Sequence, residues 1–186
     1  MSEESKRIRA PFDDATARSL RAGDRVLLCG RIIAARDAAH KRLVETLDRG
    51  KPLPVDLRGA VVYYVGPSPA KPGQVIGAAG PTTAGRMDVY TPRLLAQGLK
   101  GMIGKGYRGP TVVEAMKKHG VPYMAAVGGA GALIARSIKK YTPLAYEDLG
   151  PEAVAVMEVE DFPAIVVIDC EGNNYYERGQ APYREI

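Results

Sequence analysis

A chain of 186 residues, 46% apolar and 25% charged, has the composition of one globular domain of substantial core, and its formal net charge is +5. This excludes a disordered chain, and no apolar run approaches the roughly 20 residues that a membrane-spanning helix requires. Two cysteines, Cys29 and Cys170, sit in apolar runs and are too few to hold a structural zinc or an iron–sulfur cluster unaided, while dispersed cations and the lack of tryptophan speak against a nucleic-acid surface.

In chain order, residues 1–20 read as a polar lead-in, with 1–10 as a loose arm. No apolar segment backs the first residues, so no secretory signal is read and the cytoplasm is the expected location. A turn at Arg21-Ala22-Gly23-Asp24 precedes two short strands, 25–29 and 31–35, on either side of Gly30. Asp37 is placed to cap a helix running to about Arg49, with Leu43, Val44 and Leu47 on one face and Gly50 at its end. Strands are expected at 60–65, 75–79, 101–104 and 121–127, and a proline-rich loop at 66–73. Helices are expected from a cap at Thr91 with Pro92 in the first turn, over 111–119 with Gly120 as stop, and over 131–140. Strands at 153–160 and 164–170 close a single domain, 1–186, and residues 180–186 read as a tail. Alternating strands and helices give an α/β domain, while the β-rich ends argue against a simple doubly wound sheet.

Three segments carry the chemistry. The loop Gly80-Pro81-Thr82-Thr83-Ala84-Gly85-Arg86-Met87-Asp88 sets two hydroxyls and a guanidinium among small residues, which let a backbone approach a ligand closely. The same pattern also suits a tight turn whose Thr residues cap the next helix and whose Arg86 makes a surface ion pair. Arg36-Asp37-Ala38-Ala39-His40 follows a strand, where ligands of open α/β sheets often bind, and Asp37 and His40 share the first helical turn. Lys105 stands between Gly104 and Gly106 after a short strand. Arg forks and paired hydroxyls are suited to carboxylates, so the three segments together point to a small dianionic acid. Gly128-Gly129-Ala130-Gly131 lacks the spacing of a phosphate or dinucleotide loop and reads as a close-packing bend, and His119 as a structural residue at a helix end. There is no Ser-His-Asp order, His-Glu-x-x-His or Cys-x-x-Cys.

The order of Arg21-Ala22-Gly23-Asp24-Arg25-Val26, Ala35-Arg36-Asp37-Ala38-Ala39-His40-Lys41-Arg42, the Thr-Thr loop and Gly104-Lys105-Gly106 resembles the β subunit of iron–sulfur-dependent class I fumarate hydratase, over about residues 10–180. That subunit corresponds to the C-terminal domain of the single-chain enzymes, and the L-tartrate dehydratase β subunit shares its plan. The resemblance implies a three-layer swivelling β/β/α domain and reversible hydration of fumarate to L-malate. It implies a [4Fe–4S] cluster bound by a partner α subunit and not by this chain, with contacts between copies expected as well. It implies substrate contacts from Arg36, Thr82, Arg86 and Lys105, with Thr82 as catalytic base; Asp37 and His40, read as orienting Arg36, and Thr83 are expected to stand behind them. The alternatives are an L-tartrate dehydratase β subunit and a non-catalytic dicarboxylate-binding module.

Overall fold

The computed structural model describes residues 5–184, and the side chain of Tyr183 is left aside. Among the described residues there are seven strands and six α-helices. In order they are β1 (Lys6–Ala10), α1 (Asp14–Ser19), β2 (Arg25–Ala34), α2 (Asp37–Asp48), β3 (Val61–Tyr63), α3 (Thr91–Leu95), β4 (Gly101–Gly104), α4 (Pro110–His119), β5 (Tyr123–Ala125), α5 (Gly131–Ala135), β6 (Ile138–Ala145), β7 (Val154–Ile168) and α6 (Tyr175–Gln180).

The strands form one sheet in the order β1-β2-β3-β4-β5-β7-β6, and an added pairing of β2 with β7 closes it into a barrel-like ring. From β1 to β5 the neighbours run parallel, while β7 runs antiparallel to β2, β5 and β6. Two long strands make the closure possible. β2 gives one edge first to β1 and then to β3, while its other edge follows β7 from Arg25 to Ala34.

Side-chain alternation separates two cores. Leu28, Ile32, Val61, Tyr63, Ile103, Met124, Met157 and Phe162 point into the ring. Ile33, Val62, Tyr64, Met102, Tyr123 and Val167 point outward, where Leu43 of α2, Leu94 and Leu95 of α3, and Val112 and Met116 of α4 cover them. Helices thus pack on the outside of the parallel strands, and the α/β expectation holds.

Several sequence expectations are corrected. The arm read over 1–10 holds a strand, because Lys6–Ala10 pairs in parallel with Val26–Gly30; Met1–Glu4 lie outside the described residues. The two strands about Gly30 are one, with a bulge between Leu28 and Gly30. The segments read as 153–160 and 164–170 are likewise one strand, β7. Residues 75–79 form no strand. The helix expected over 131–140 stops at Ala135, and Ile138–Ala145 instead pairs with β7. The tail read over 180–186 begins inside α6 and continues as a short 3₁₀ turn, Ala181–Tyr183, with Glu185 and Ile186 outside the described residues.

Candidate functional site

All four inner parallel strands end on the same edge of the ring, and the cationic segments follow directly from those ends. Arg36 comes two residues after β2, and Lys105 comes immediately after β4. The Thr-Thr loop is threaded between the ends of β3 and β4. The Thr82 amide donates to the Tyr64 carbonyl (2.7 Å), and the Thr82 carbonyl accepts from the Lys105 amide (3.2 Å). The Ala84 amide then donates to the Lys105 carbonyl (2.8 Å), making a short parallel pairing of Thr83 with Lys105. Thr82 is half-buried, while Thr83 and Lys105 are exposed.

The helix-cap reading of this loop does not hold. The chain turns through a 3₁₀ segment, Ala84–Met87, and Thr83 at its start makes no side-chain cap bond. Thr91 does not cap α3 either; its hydroxyl donates to the Met87 carbonyl (2.8 Å) from within the first turn.

Arg36, not Asp37, is the residue preceding α2, and Asp37 is the first residue inside the helix. The Asp37 carboxylate grips the Arg86 guanidinium with both oxygens, accepting from Nε at 2.7 Å and from Nη2. The same carboxylate lies 3.6 Å from Arg36 Nε. That distance is too long for a hydrogen bond, so the Arg36 Nε–H is buried and unpaired. Arg36 Nη2 donates to Glu152 Oε1 (2.7 Å). The other Glu152 oxygen accepts from the Ala38 amide (2.8 Å), satisfying a free N–H of the first turn of α2. Burial pushes both carboxyls upward, but for Asp37 the hydrogen bond from Arg86, and for Glu152 those from Ala38 and Arg36, outweigh it, and both lie below their ordinary values.

His40 is buried inside this arrangement. Its Nδ1 donates to the Arg36 carbonyl (3.1 Å), which makes Nε2 a bare lone pair, and that atom has no partner. The ring meets Tyr64 edge-on at 5.2 Å. Burial, with a smaller push from Arg108, lowers the imidazole to about 4, so it is neutral at pH 7. His119 is also pushed down, by burial and then by Lys118 and Lys100, so the imidazolium that would favour a helix end is not the preferred form.

Arg36, Asp37 and Arg86 are therefore joined by side chains, Thr82, Thr83 and Lys105 by backbone, and His40 sits behind Arg36. Sequence reading missed Glu152, which comes from the turn before β7, and Arg108, which lies under the loops. It also missed Gly66, where a Cβ would stand 2.8 Å from Arg36 Nη1 and the guanidinium would have to shift. The Gly128–Gly131 bend is close packing as expected: a Cβ on Gly131 would come 2.9 Å from the Gly80 nitrogen. A cleft of about 340 Å³ between Pro67, Tyr141 and Pro151 shares no residue with the cationic edge.

Among the described residues no three His, Cys, Asp or Glu side chains gather as a metal site. Cys29 is half-buried near Asp161, and Cys170 is buried with its thiol pushed up to about 11, chiefly by burial. Among the described residues, these two thiols do not make the ligand set of an iron–sulfur cluster.

Fold and edge together define a mixed α/β domain that carries guanidinium, ammonium and hydroxyl groups along one edge of its sheet. A family model described as "Fumarase C-terminus" matches residues 3–179, and the chain belongs to that family. It is 45% identical over 158 residues to "Fumarate hydratase 2" of Leishmania major, covering 84% of this chain and 28% of that protein. It is 44% identical over 158 residues to "Fumarate hydratase class I, aerobic" of Escherichia coli K12, covering 84% of this chain and 29% of the relative. A Methanocaldococcus jannaschii protein named "Putative L(+)-tartrate dehydratase subunit beta" is 38% identical over 166 residues, which is 86% of this chain and 85% of that one. The chain thus spans under a third of the fumarate hydratases it matches and most of the separate subunit.

Proposed function

We propose that this chain is the β subunit of an iron–sulfur hydro-lyase that interconverts fumarate and L-malate, active with a partner α subunit that carries the [4Fe–4S] cluster. The observation that carries the reading is the gathering of Arg36, Thr82, Arg86 and Lys105 on one strand edge of a fumarase-family domain. We read the ring with its outer helices as a swivelling three-layer β/β/α domain and place it in the cytoplasm; among the described residues, no helix is long and apolar enough to cross a membrane.

Each residue has a chemical task in this reading. Arg86 and Arg36 bind the two substrate carboxylates through their guanidinium donors. Asp37 and Glu152 hold the two guanidinium groups in orientation until substrate arrives. Lys105 adds a point charge where proton removal from C3 builds extra negative charge on the neighbouring carboxylate, and preorganised cations stabilise that charge more than the ground state. Thr82 takes the C3 proton. A hydroxyl is a weak base, and neighbouring cations are what lower the cost of its alkoxide. His40, neutral and bonded to the Arg36 carbonyl, fixes the first turn of α2 behind the Arg36 guanidinium. The cluster's action on the departing hydroxyl belongs to the partner chain.

The test is the assembled enzyme prepared without oxygen. Thr82→Ala, Arg86→Ala and Lys105→Ala are each expected to lower kcat/KM for malate by about 10²-fold or more, as loss of a preorganised charge-stabilising group does. Wild-type rates in all three would remove the site assignment. A second reading, an L-tartrate dehydratase β subunit, draws on the near full-length match to a separate β subunit. Higher kcat/KM for tartrate than for malate selects it. A dicarboxylate-binding module without catalysis requires tight malate binding by this chain with no partner and no turnover in any assembly.

A further inference from the structure

Beneath the cationic edge lies a guanidinium with no solvent contact. The Arg108 side chain is 0% exposed. Its Nε donates to Asp88 Oδ1 (2.8 Å), Nη1 to Tyr64 Oη (3.1 Å) and Nη2 to Thr91 Oγ1 (2.7 Å). Its plane also sits 5.3 Å and 5.2 Å from the ring centroids of Tyr64 and Tyr123. Burying such a charge is expensive, and an apolar group of similar volume often serves stability as well or better. A rigid fork does something an apolar group does not: it holds several partners at fixed angles.

Each partner leads to a site loop. Asp88 ends the Thr-Thr loop, and its second oxygen accepts from the Gly109 amide (2.7 Å), tying that loop to the one after Lys105. The Tyr64 carbonyl accepts the Thr82 amide. The Thr91 hydroxyl, while accepting from Arg108, donates to the carbonyl of Met87, the residue after Arg86. Tyr123 Oη donates to the Gly106 carbonyl (3.0 Å), where φ of +82° turns the chain just past Lys105.

We infer that Arg108 is a positioning residue: its buried fork sets the loop bearing Thr82 and Arg86 against the loop bearing Lys105. The inference rests on the function proposed above for what those loops do, and it adds a residue that reaches no substrate. Small displacements of reacting groups cost large factors in rate, so loosening the fork acts on turnover more than on substrate affinity.

The experiment uses the assembled enzyme with Arg108→Lys, which keeps the charge and loses the fork, and with Tyr64→Phe and Thr91→Val, which each remove one acceptor. Each is built in the wild-type and in the Thr82→Ala background, and kcat and KM for malate are measured. The expected result is a loss of about tenfold in kcat for Arg108→Lys, with KM changed less than threefold, a loss that is smaller when Thr82 is already alanine and only Arg86 and Lys105 remain to be positioned. Smaller losses of the same pattern are expected for the other two, which decide the matter where Arg108→Lys does not fold. An equal loss in both backgrounds, or wild-type kcat in every folded variant, overturns the inference. Where the wild-type assembly hydrates neither fumarate nor tartrate, the functional reading fails by itself. Amide hydrogen exchange on the full chain then decides: faster exchange in Thr91→Val confined to Thr82, Ala84, Lys105 and Gly109 supports the positioning role, and unchanged exchange at those amides overturns it.

Discussion

His40 shows how much one side chain can do without touching solvent. Its Nδ1–H is used by the Arg36 carbonyl, its Nε2 lone pair has no donor, and Arg108 stands close enough to oppose a second proton. Burial first, and Arg108 less, lower the folded imidazole to about 4, against 6.5 for a free one, with the hydrogen bond to the Arg36 carbonyl and, more weakly, Asp37 acting in the other direction. The unfolded chain therefore takes up a proton as pH falls through 6.5, and the folded chain does not until about 4. Stability is fully present above pH 7 and is lost across that window, by up to about 3 kcal/mol. Urea unfolding at pH 7.5 and pH 5 checks this against His40→Asn, which keeps a donor for Arg36 but does not titrate. The wild type is expected to lose more stability on acidification than the variant; equal losses would refute the assignment. Sequence could place His40 in the first turn of α2, three residues from Asp37. It could not show that the ring is buried, because burial comes from Tyr64 and Tyr90, which lie 24 and 50 positions onward in the sequence.

At the scale of elements, β2 decides the architecture, and Gly30 decides β2. The strand stays continuous because the bulge is absorbed at a residue with φ of +101°. A Cβ there would stand 2.2 Å from the Ala10 carbonyl oxygen, inside the β1–β2 pairing. Gly30→Ala combines a left-handed backbone with a clash against main chain, and about 3 kcal/mol or more of destabilisation is expected. Gly50→Ala is the control: φ is +64°, but nothing lies within 4 Å, so about 1 kcal/mol is expected. Denaturant midpoints of the two variants measure the difference, and equal costs would mean that the β1 contact is not what requires glycine.

The same strands explain what sequence revealed and what it hid. β4 and α4 were legible to within a residue, since short apolar runs and a terminal Gly120 at φ of +64° mark them locally. β1 was not, because Lys6-Arg7-Ile8-Arg9-Ala10 is a charged edge strand whose only signal is its partner. β6 was hidden for the same reason: Ile138-Lys139-Lys140-Tyr141 continues a helical pattern until pairing with β7 overrides it. Residues 75–79 have strand-like composition and find no partner strand. The candidate site followed this rule too. Arg36, Thr82, Arg86 and Lys105 were legible as motifs, whereas Glu152 and Arg108 acquire meaning only when distant segments fold over them.

For the whole molecule, the electrostatics of the edge set what the chain can do alone. Arg36, Arg86 and Lys105 bring three positive charges, but Asp37 and Glu152 already neutralise two of them. His40 is neutral, and Arg108 is matched by Asp88. Among the described residues one cation of this edge is therefore left uncompensated, against the two carboxylates of the proposed substrate, and Arg86 is half exposed, where water screens its attraction. Binding by this chain alone also requires exchanging intramolecular carboxylates for those of the substrate, which gains little net energy. Malate is accordingly expected to bind the full chain by itself with a Kd of about 1 mM or weaker, only about 4 kcal/mol of binding energy. Asp37→Asn removes one competing carboxylate and leaves two uncompensated cations, so its Kd is expected to fall severalfold at low salt, with the gain shrinking as ionic strength rises. Calorimetric titration of both proteins at two salt concentrations measures the effect. Micromolar binding by the wild-type chain, or no gain in Asp37→Asn, would show that the internal carboxylates do not hold the arginines back from substrate.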